Sequence, residues 1–353
     1  MPFYQRSWNS VLGELAPKVS NRRLRTVPVG DQPLEGEPPQ LQEVPKARVS
    51  YTRQMLKDHV DDLLATKCCY PIKGNEKFLS YQIQRDEPMF HGKFSAIYAC
   101  TNKQMGDVAM IARIYNSDAN INVEKELFLK MLRYIGRDHP CIIGTMDIFA
   151  DDDRNVYIIQ EFANNGNAYD YVQMNENVVS EKQLCRWAQS IYKAMSYLGD
   201  VSISHRSIQP KHMLLKVVDN SEIITKLTGF RDAVIYWDPD AYDLVDCACL
   251  PISKRSHVGF EAPEVFGEYN EYFNPHEADV WSFGATIFFI GSKTFPFNMQ
   301  NPEPNMDSVI RENVERSSLS QPAKNWLYGL MRADTKFRIP FESIASDTWF
   351  KSF

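Results

Sequence analysis

The run His205-Arg-Ser-Ile-Gln-Pro-Lys-His-Met-Leu-Leu215, followed by Lys226-Leu-Thr-Gly-Phe-Arg231, decides how this chain is read. A polar loop leads into a hairpin that carries Asp219 and Glu222, and the returning strand ends at Gly229. Just upstream, Ser180-Glu-Lys-Gln183 has the spacing of a capping box, in which the serine hydroxyl and the glutamine side chain satisfy free N–H groups at a helix start. Leu184, Trp187, Ile191, Met195 and Leu198 then fall on one helical face. Downstream, Asp279 to Gly291 is apolar nearly all round, as a helix in the middle of a domain would be.

Farther towards the N-terminus the period changes. Phe78 to Tyr115 alternates β-branched and aromatic residues with polar ones and is broken by Gly92 and Gly106, which predicts several antiparallel strands. Glu124 to Ile135 reads as a helix and Val156 to Phe162 as a buried strand. A strand-rich segment with one helix therefore precedes a helix-rich segment. This order predicts a bilobal α+β fold: a small β-rich lobe over residues 78–162 and a large helical lobe over 163–353, with a ligand cleft between them. Ahead of the lobes, residues 51–77 read as a linker holding a short amphipathic helix, with Leu56, Val60, Leu63 and Leu64 at helical spacing. Residues 1–50 lack periodicity, carry the proline-rich stretch Pro33 to Pro45 and the basic cluster Arg22, Arg23 and Arg25, and read as a disordered tail.

Composition excludes several classes. A net charge of −6 argues against a nucleic-acid partner, which would need a clustered basic face. No apolar run approaches the ~20 residues that span a bilayer, so no membrane partner is expected. Seven cysteines without framework spacing fit a reducing, cytoplasmic setting. Cys68-Cys69 and Cys247-Ala-Cys249 lack the spacing and the nearby histidines of a zinc site, so no metal site is expected.

Five segments in fixed order resemble the protein kinase superfamily. His205 to Leu215 resembles the catalytic loop, and Lys226 to Arg231 the strand and the Asp-Phe-Gly motif after it. Phe260-Glu-Ala-Pro-Glu264 resembles the end of the activation segment, Asp279-Val-Trp-Ser-Phe-Gly284 the start of the central helix, and Arg338 the arginine that pairs with the activation-segment glutamate. The resemblance covers Phe78 to Phe350. Ile142 to Phe149 with Val156 to Glu161 is similar to the calcium/calmodulin-kinase-like group and its testis-specific serine kinases.

Phosphoryl transfer is catalysed mainly by positioning and by neutralising phosphate charge, and the residues that the resemblance assigns to those tasks are replaced. Ser207 stands where the family has its aspartate base, and Gln209 where it has the loop lysine. His212 replaces the asparagine that holds magnesium, a hard cation that prefers oxygen. Gly229 replaces the aspartate that is the main magnesium ligand. Met89 to Ile97 resembles the glycine-rich loop, with Phe90 and Ser95 at the first and third glycine positions and Gly92 retained. Arg113 best matches the strand lysine, with Ala112 and Ile111 one or two residues away in register. Glu126, or Glu124 in another register, matches its helix partner.

The resemblance places the candidate nucleotide cleft at Gly92, Arg113, the gatekeeper Gln160 and the hinge residues Glu161 and Phe162. Any ATP binding there is expected to be weak and independent of magnesium, and Phe90 is expected to crowd or close the pocket. The structural residues are kept: His205 and Phe230 in the stack that joins the lobes, Asp279 under the catalytic loop, and the Glu264–Arg338 pair. The expectation is a catalytically inactive kinase-like domain, a pseudokinase. It would scaffold or allosterically regulate a protein partner such as an active kinase, and the rival is a divergent serine/threonine kinase with weak phosphotransfer. The acidic and aromatic stretch Gly229 to Glu264 is a candidate docking surface.

Overall fold

The computed structural model describes residues 53–66, 70–71, 80–92, 94–105, 108–116, 123–136, 139–174, 179–218, 222–238, 240–251, 259–267, 271–297 and 305–353. The tail, the Arg22–Arg25 cluster, Cys68, Cys69, Asp219, residues 256–258 and the side chains of Glu124 and Glu126 lie outside the described residues.

The chain enters through helix α1 (Arg53–Ala65), whose buried residues are Leu56, Val60 and Leu63. Leu64, expected on the same face, is 41% exposed, because the apolar stripe is one residue wide at each turn. A seven-stranded sheet follows, made of β1 (Tyr70–Pro71), β2 (Tyr81–Ile83), β3 (Phe90–His91), β4 (Ser95–Asn102), β5 (Val108–Tyr115), β6 (Thr145–Ala150) and β7 (Val156–Glu161). Its order is β1-β6-β7-β5-β4-β2, with β3 also paired to β4. All pairings are antiparallel except β1 with β6. Helix α2 (Val123–Ile135) lies between β5 and β6 in the chain and packs on β6.

Strand periodicity sorts the residues of this sheet onto two faces. Ile148 and Ile158 share the main core with Leu129, Met131, Leu132 and Ile135 of α2. Phe149, Tyr157, Ile159, Met110 and Ala112 form a second cluster on the opposite face. The face towards α2 is the one that roofs the cleft.

The large lobe is built from α3 (Ala168–Met174), α4 (Glu181–Asp200), α5 (Pro275–Ser292), α6 (Met306–Arg316), α7 (Gln321–Leu330) and α8 (Phe341–Ile344). Helix α5 is buried from Ala278 to Gly291, as its all-round apolar sequence requires. Ser180 caps α4 by accepting from the Gln183 N–H at 3.3 Å. The reciprocal half of the expected capping box is not formed. The Gln183 side chain donates instead to the Ile223 carbonyl at 3.0 Å, tying α4 to the strand below the catalytic loop. Among the described residues no helix is long and apolar enough to cross a membrane.

Candidate functional site

The catalytic-loop counterpart runs from β8 (Ile203–Ser204) to β9 (Met213–Val217), and β9 pairs with β10 (Ile223–Leu227), which delivers Gly229. Asp279 of α5 holds the loop from beneath. Its carboxylate accepts from the Ser204 hydroxyl and the His205 N–H at 2.7 Å each, and from the Arg206 N–H at 2.8 Å. Arg206 has φ of 58°, so this turn is a strained one held by buried hydrogen bonds.

His205 is fully buried. Its Nε2 lies 2.9 Å from the Thr228 carbonyl and must donate there, which leaves Nδ1 to accept from the Ser207 N–H at 3.3 Å. Its ring stands edge-on to Phe230 at 4.9 Å between centroids. Burial, helped by the nearby His212 ring, pushes the His205 imidazole down to about 3. The unfolded chain therefore takes up a proton below about pH 6.5 that the folded chain refuses until about pH 3, so this contribution to stability is present at pH 7 and fades on acidification. From pH 7 to pH 5 it should cost ~2 kcal/mol. Thermal melts of His205→Gln should show a shallower fall over that range than the parent protein.

His212 and Gly229 meet directly. The His212 Nδ1 donates to the Ser207 carbonyl at 2.7 Å, which lays the ring across the α-carbon of Gly229. A β-carbon on Gly229 would stand 2.5 Å from the ring, and φ at Gly229 is +90°. Only glycine is accommodated there, for reasons of both space and backbone. The ring thus fills the volume that an aspartate side chain would need. Burial holds His212 below the ordinary imidazole range; the hydrogen bond to Ser207 and the charge of Asp232 oppose this, and Arg113 and Lys211 add to it.

Register settles which residue of β5 faces the cleft. Arg113 pairs with Ile158 and Ile97, and Ile111 with Gln160 and Ala99, so these residues share the face towards α2. Ala112 is fully buried in the cluster on the other face. Of the three sequence candidates for the strand-lysine position, Ala112 is thus on the wrong face. Arg113 is the one whose charge reaches His212.

Phe90 pairs with Ile97 and so also lies on the cleft side. It is 36% exposed, and its ring edge would touch a β-carbon placed on Gly92. Gly92 closes the loop by donating to the Ser95 carbonyl at 2.8 Å. An open pocket of about 260 Å³, lined by Arg85, His91, Tyr98, Asn116 and Tyr157 among others, sits on the opposite face of the sheet and shares only Gly92 with the predicted nucleotide residues.

The remaining predicted residues are engaged in structure. Gln160 is buried and donates to the Thr145 hydroxyl at 3.1 Å. The Glu161 carboxylate is bonded by Lys216 at 2.6 Å and Lys226 at 2.8 Å, which fastens the hinge to the β9–β10 hairpin. Burial opposes its ionisation, yet those hydrogen bonds outweigh burial and hold its carboxyl below the usual range. Phe162 is half-buried beyond β7. Ser207 accepts from the Gln209 amide at 3.2 Å, so the two replaced loop positions bond to each other. These lysines, invisible as a pair in the sequence, are partners that the β9–β10 register brings to one side: Lys216 stands opposite Ile224, two residues from Lys226.

Residues 83–350 match the model of the protein kinase domain. Among relatives, the chain is 23% identical over 285 residues to the probable serine/threonine-protein kinase fhkA of Dictyostelium discoideum, covering 73% of this chain and 48% of that protein. It is 26% identical over 279 residues to fhkD of the same organism, covering 73% and 35%. It is 25% identical over 271 residues to that organism's myosin light chain kinase A, covering 75% and 87%. The chain thus spans half or less of the length of the first two. With a catalytic-loop counterpart held by Asp279, a Glu264–Arg338 pair and a family match over most of its length, the chain belongs to the protein kinase domain family.

Proposed function

We propose that this protein kinase domain does not transfer phosphate and acts by binding a protein partner, as a scaffold or an allosteric regulator, with an active kinase as the favoured class of partner. The observation that carries the reading is the interlock of His212 and Gly229, in which an imidazole fills the place of a metal-binding carboxylate. A magnesium ion fits this donor set poorly: Gly229 offers no side chain, and His212 offers nitrogen to a cation that selects oxygen. Ser207 supplies no carboxylate base. A retained bilobal fold still offers a partner two arrangements to select between.

The activation-segment counterpart supports the docking half of the reading. Between residues 234 and 273 it forms short strand pairs, 234–235 with 203–204, 237–238 with 243–244, 247–248 with 272–273 and 250–251 with 266–267. Leu244, Leu250 and Tyr272, one on each of three of these pairs, are left exposed.

The rival reading is a divergent serine/threonine kinase, as the names of its relatives suggest. It would have to use Asp232, an exposed carboxylate whose charge reaches His212. The two readings part on nucleotide. Arg113 can hold phosphate oxygens through paired N–H donors without a metal. Any thermal shift with ATP is therefore expected to be small and equal in EDTA and in excess magnesium. A shift that appears only with magnesium would overturn the proposal.

A further inference from the structure

Helix α1 lies outside the segment that matches the family, which begins at residue 83, yet it joins that domain in two directions. Towards the small lobe, Leu63 is fully buried in the main core that includes Leu129, Leu132 and Ile135 of α2. The Lys130 ammonium of α2 donates to the Leu64 carbonyl at 2.6 Å, and His59 Nδ1 lies 2.9 Å from the Tyr134 hydroxyl. Towards the large lobe, Leu56 and Val60 form a separate apolar cluster with Trp237, against which Ile235 and Tyr242 pack. The Tyr242 hydroxyl donates to the Gln54 side-chain carbonyl at 3.0 Å, and Arg53 reaches Asp243 at 3.2 Å. Trp237, Tyr242 and Asp243 belong to the hairpin of the activation segment.

A helix of 13 residues with no acidic first turn and no basic last turn is marginal by itself. It owes its form to what it touches. The Arg53–Asp243 pair is more than half exposed on both sides and contributes little. The buried Leu56 and Val60 carry the attachment to the hairpin, and Leu63 the attachment to the main core. Helix α2 in turn packs on the turn Phe230–Asp232 that follows Gly229. The contacts therefore close a ring: α1, α2, the 230–232 turn, the hairpin, and α1 again.

We infer that α1 is an intramolecular strap that ties α2 to the activation segment, so that displacing it releases both. The strap sets the spacing between the helix behind the cleft and the hairpin that carries Leu244. Its release would loosen that hairpin together with the 230–232 turn beside Gly229.

Amide hydrogen exchange on the full chain tests this. Val60→Asp should speed exchange about tenfold or more in α1, in residues 234–244 and in α2 together, because a buried aliphatic side chain is replaced by a charge. Helices α4 and α5 should keep their protection. Trp237→Ala should produce the same pattern from the hairpin side, including faster exchange in α2. Faster exchange confined to α1 would overturn the inference, since the helix would then be a decoration. Equal loss of protection in α4 and α5 would overturn it as well, since α1 would then be an integral part of the global fold.

Discussion

Purified protein is expected to transfer no phosphate, and Gly229→Asp is expected not to restore transfer. Ordinary kinases turn over at ~1–100 s⁻¹. A general base alone supplies ~10²–10⁴ in rate, and here the base position is Ser207 while both metal-ligand positions are replaced. Turnover within ~100-fold of ordinary kinases would refute inactivity. The reversion is the sharper experiment. An aspartate at 229 must adopt φ of +90° and put its β-carbon 2.5 Å from the His212 ring. Backbone strain of this kind costs ~1–3 kcal/mol and overpacking another ~1–3 kcal/mol. Gly229→Asp alone should therefore lower the melting temperature and leave activity absent. Adding His212→Asn removes the ring and should recover the overpacking share, a coupling of at least ~1 kcal/mol in a double-mutant cycle. Additive melts would mean that the two sites are independent. Only with Ser207→Asp as well would all three oxygen-bearing side chains be back, and the triple variant is the one in which transfer is worth seeking.

The interlock explains why part of the site was legible in the sequence and part was not. Ser207, Gln209, His212 and Gly229 could be picked out because each sits at a fixed offset from His205, Phe230 or Leu215, and residue type says which donors and acceptors each one offers. That His212 fills the space over Gly229 was not readable: 16 residues, a hairpin among them, separate the two, and the pairing of β9 with β10 brings them together. Arg113 shows the same limit in another form. Strand alternation puts Ile111 and Arg113 on one face and Ala112 on the other, but which face meets the cleft depends on the neighbours of β5, and β7 lies 40 residues away in sequence.

The two lobes were legible because their periods differ, and because α5 is apolar all round and so had to be central. The role of α1 was not. Four apolar residues at helical spacing announce a buried face but not what buries it; three of them are buried, and two separate elements do the covering. Gln183 gives the opposite lesson. Its spacing from Ser180 fits a local cap, yet a tertiary acceptor, the Ile223 carbonyl, takes its side chain instead. Local rules assign a polar side chain its nearest partner, and a folded core offers others.

Arg338→Ala is expected to be the most damaging single substitution away from the cleft. The Arg338 side chain is 2% exposed, and its fork meets both oxygens of Glu264, with the second contact at 3.0 Å. The same guanidinium donates to the Arg332 carbonyl at 2.9 Å and to the Glu277 carbonyl at 2.8 Å, and it lies 5.2 Å from the ring centroid of Trp281. It therefore joins the end of the activation segment to α5 and to the loop after α7. Removing it strands a carboxylate that is only 17% exposed and takes one donor from each of two carbonyls. Breaking a buried pair in this way costs ~3–5 kcal/mol, which for a domain of this size is on the order of 10 °C in melting temperature. Arg338→Lys keeps the charge but not the planar fork, and it should recover less than half of the loss because one ammonium cannot serve two carboxylate oxygens and two carbonyls at once. Glu264→Gln strips the buried guanidinium of its counter-charge but leaves an amide oxygen and the Arg332 and Glu277 carbonyls to accept from it, so it should cost less than Arg338→Ala, which removes all of those contacts. If Arg338→Ala melted with the parent protein, the pair would be contributing nothing, and the end of the activation segment would have to be held by the packing of Phe260 and Phe266 and the pairing of 266–267 with 250–251.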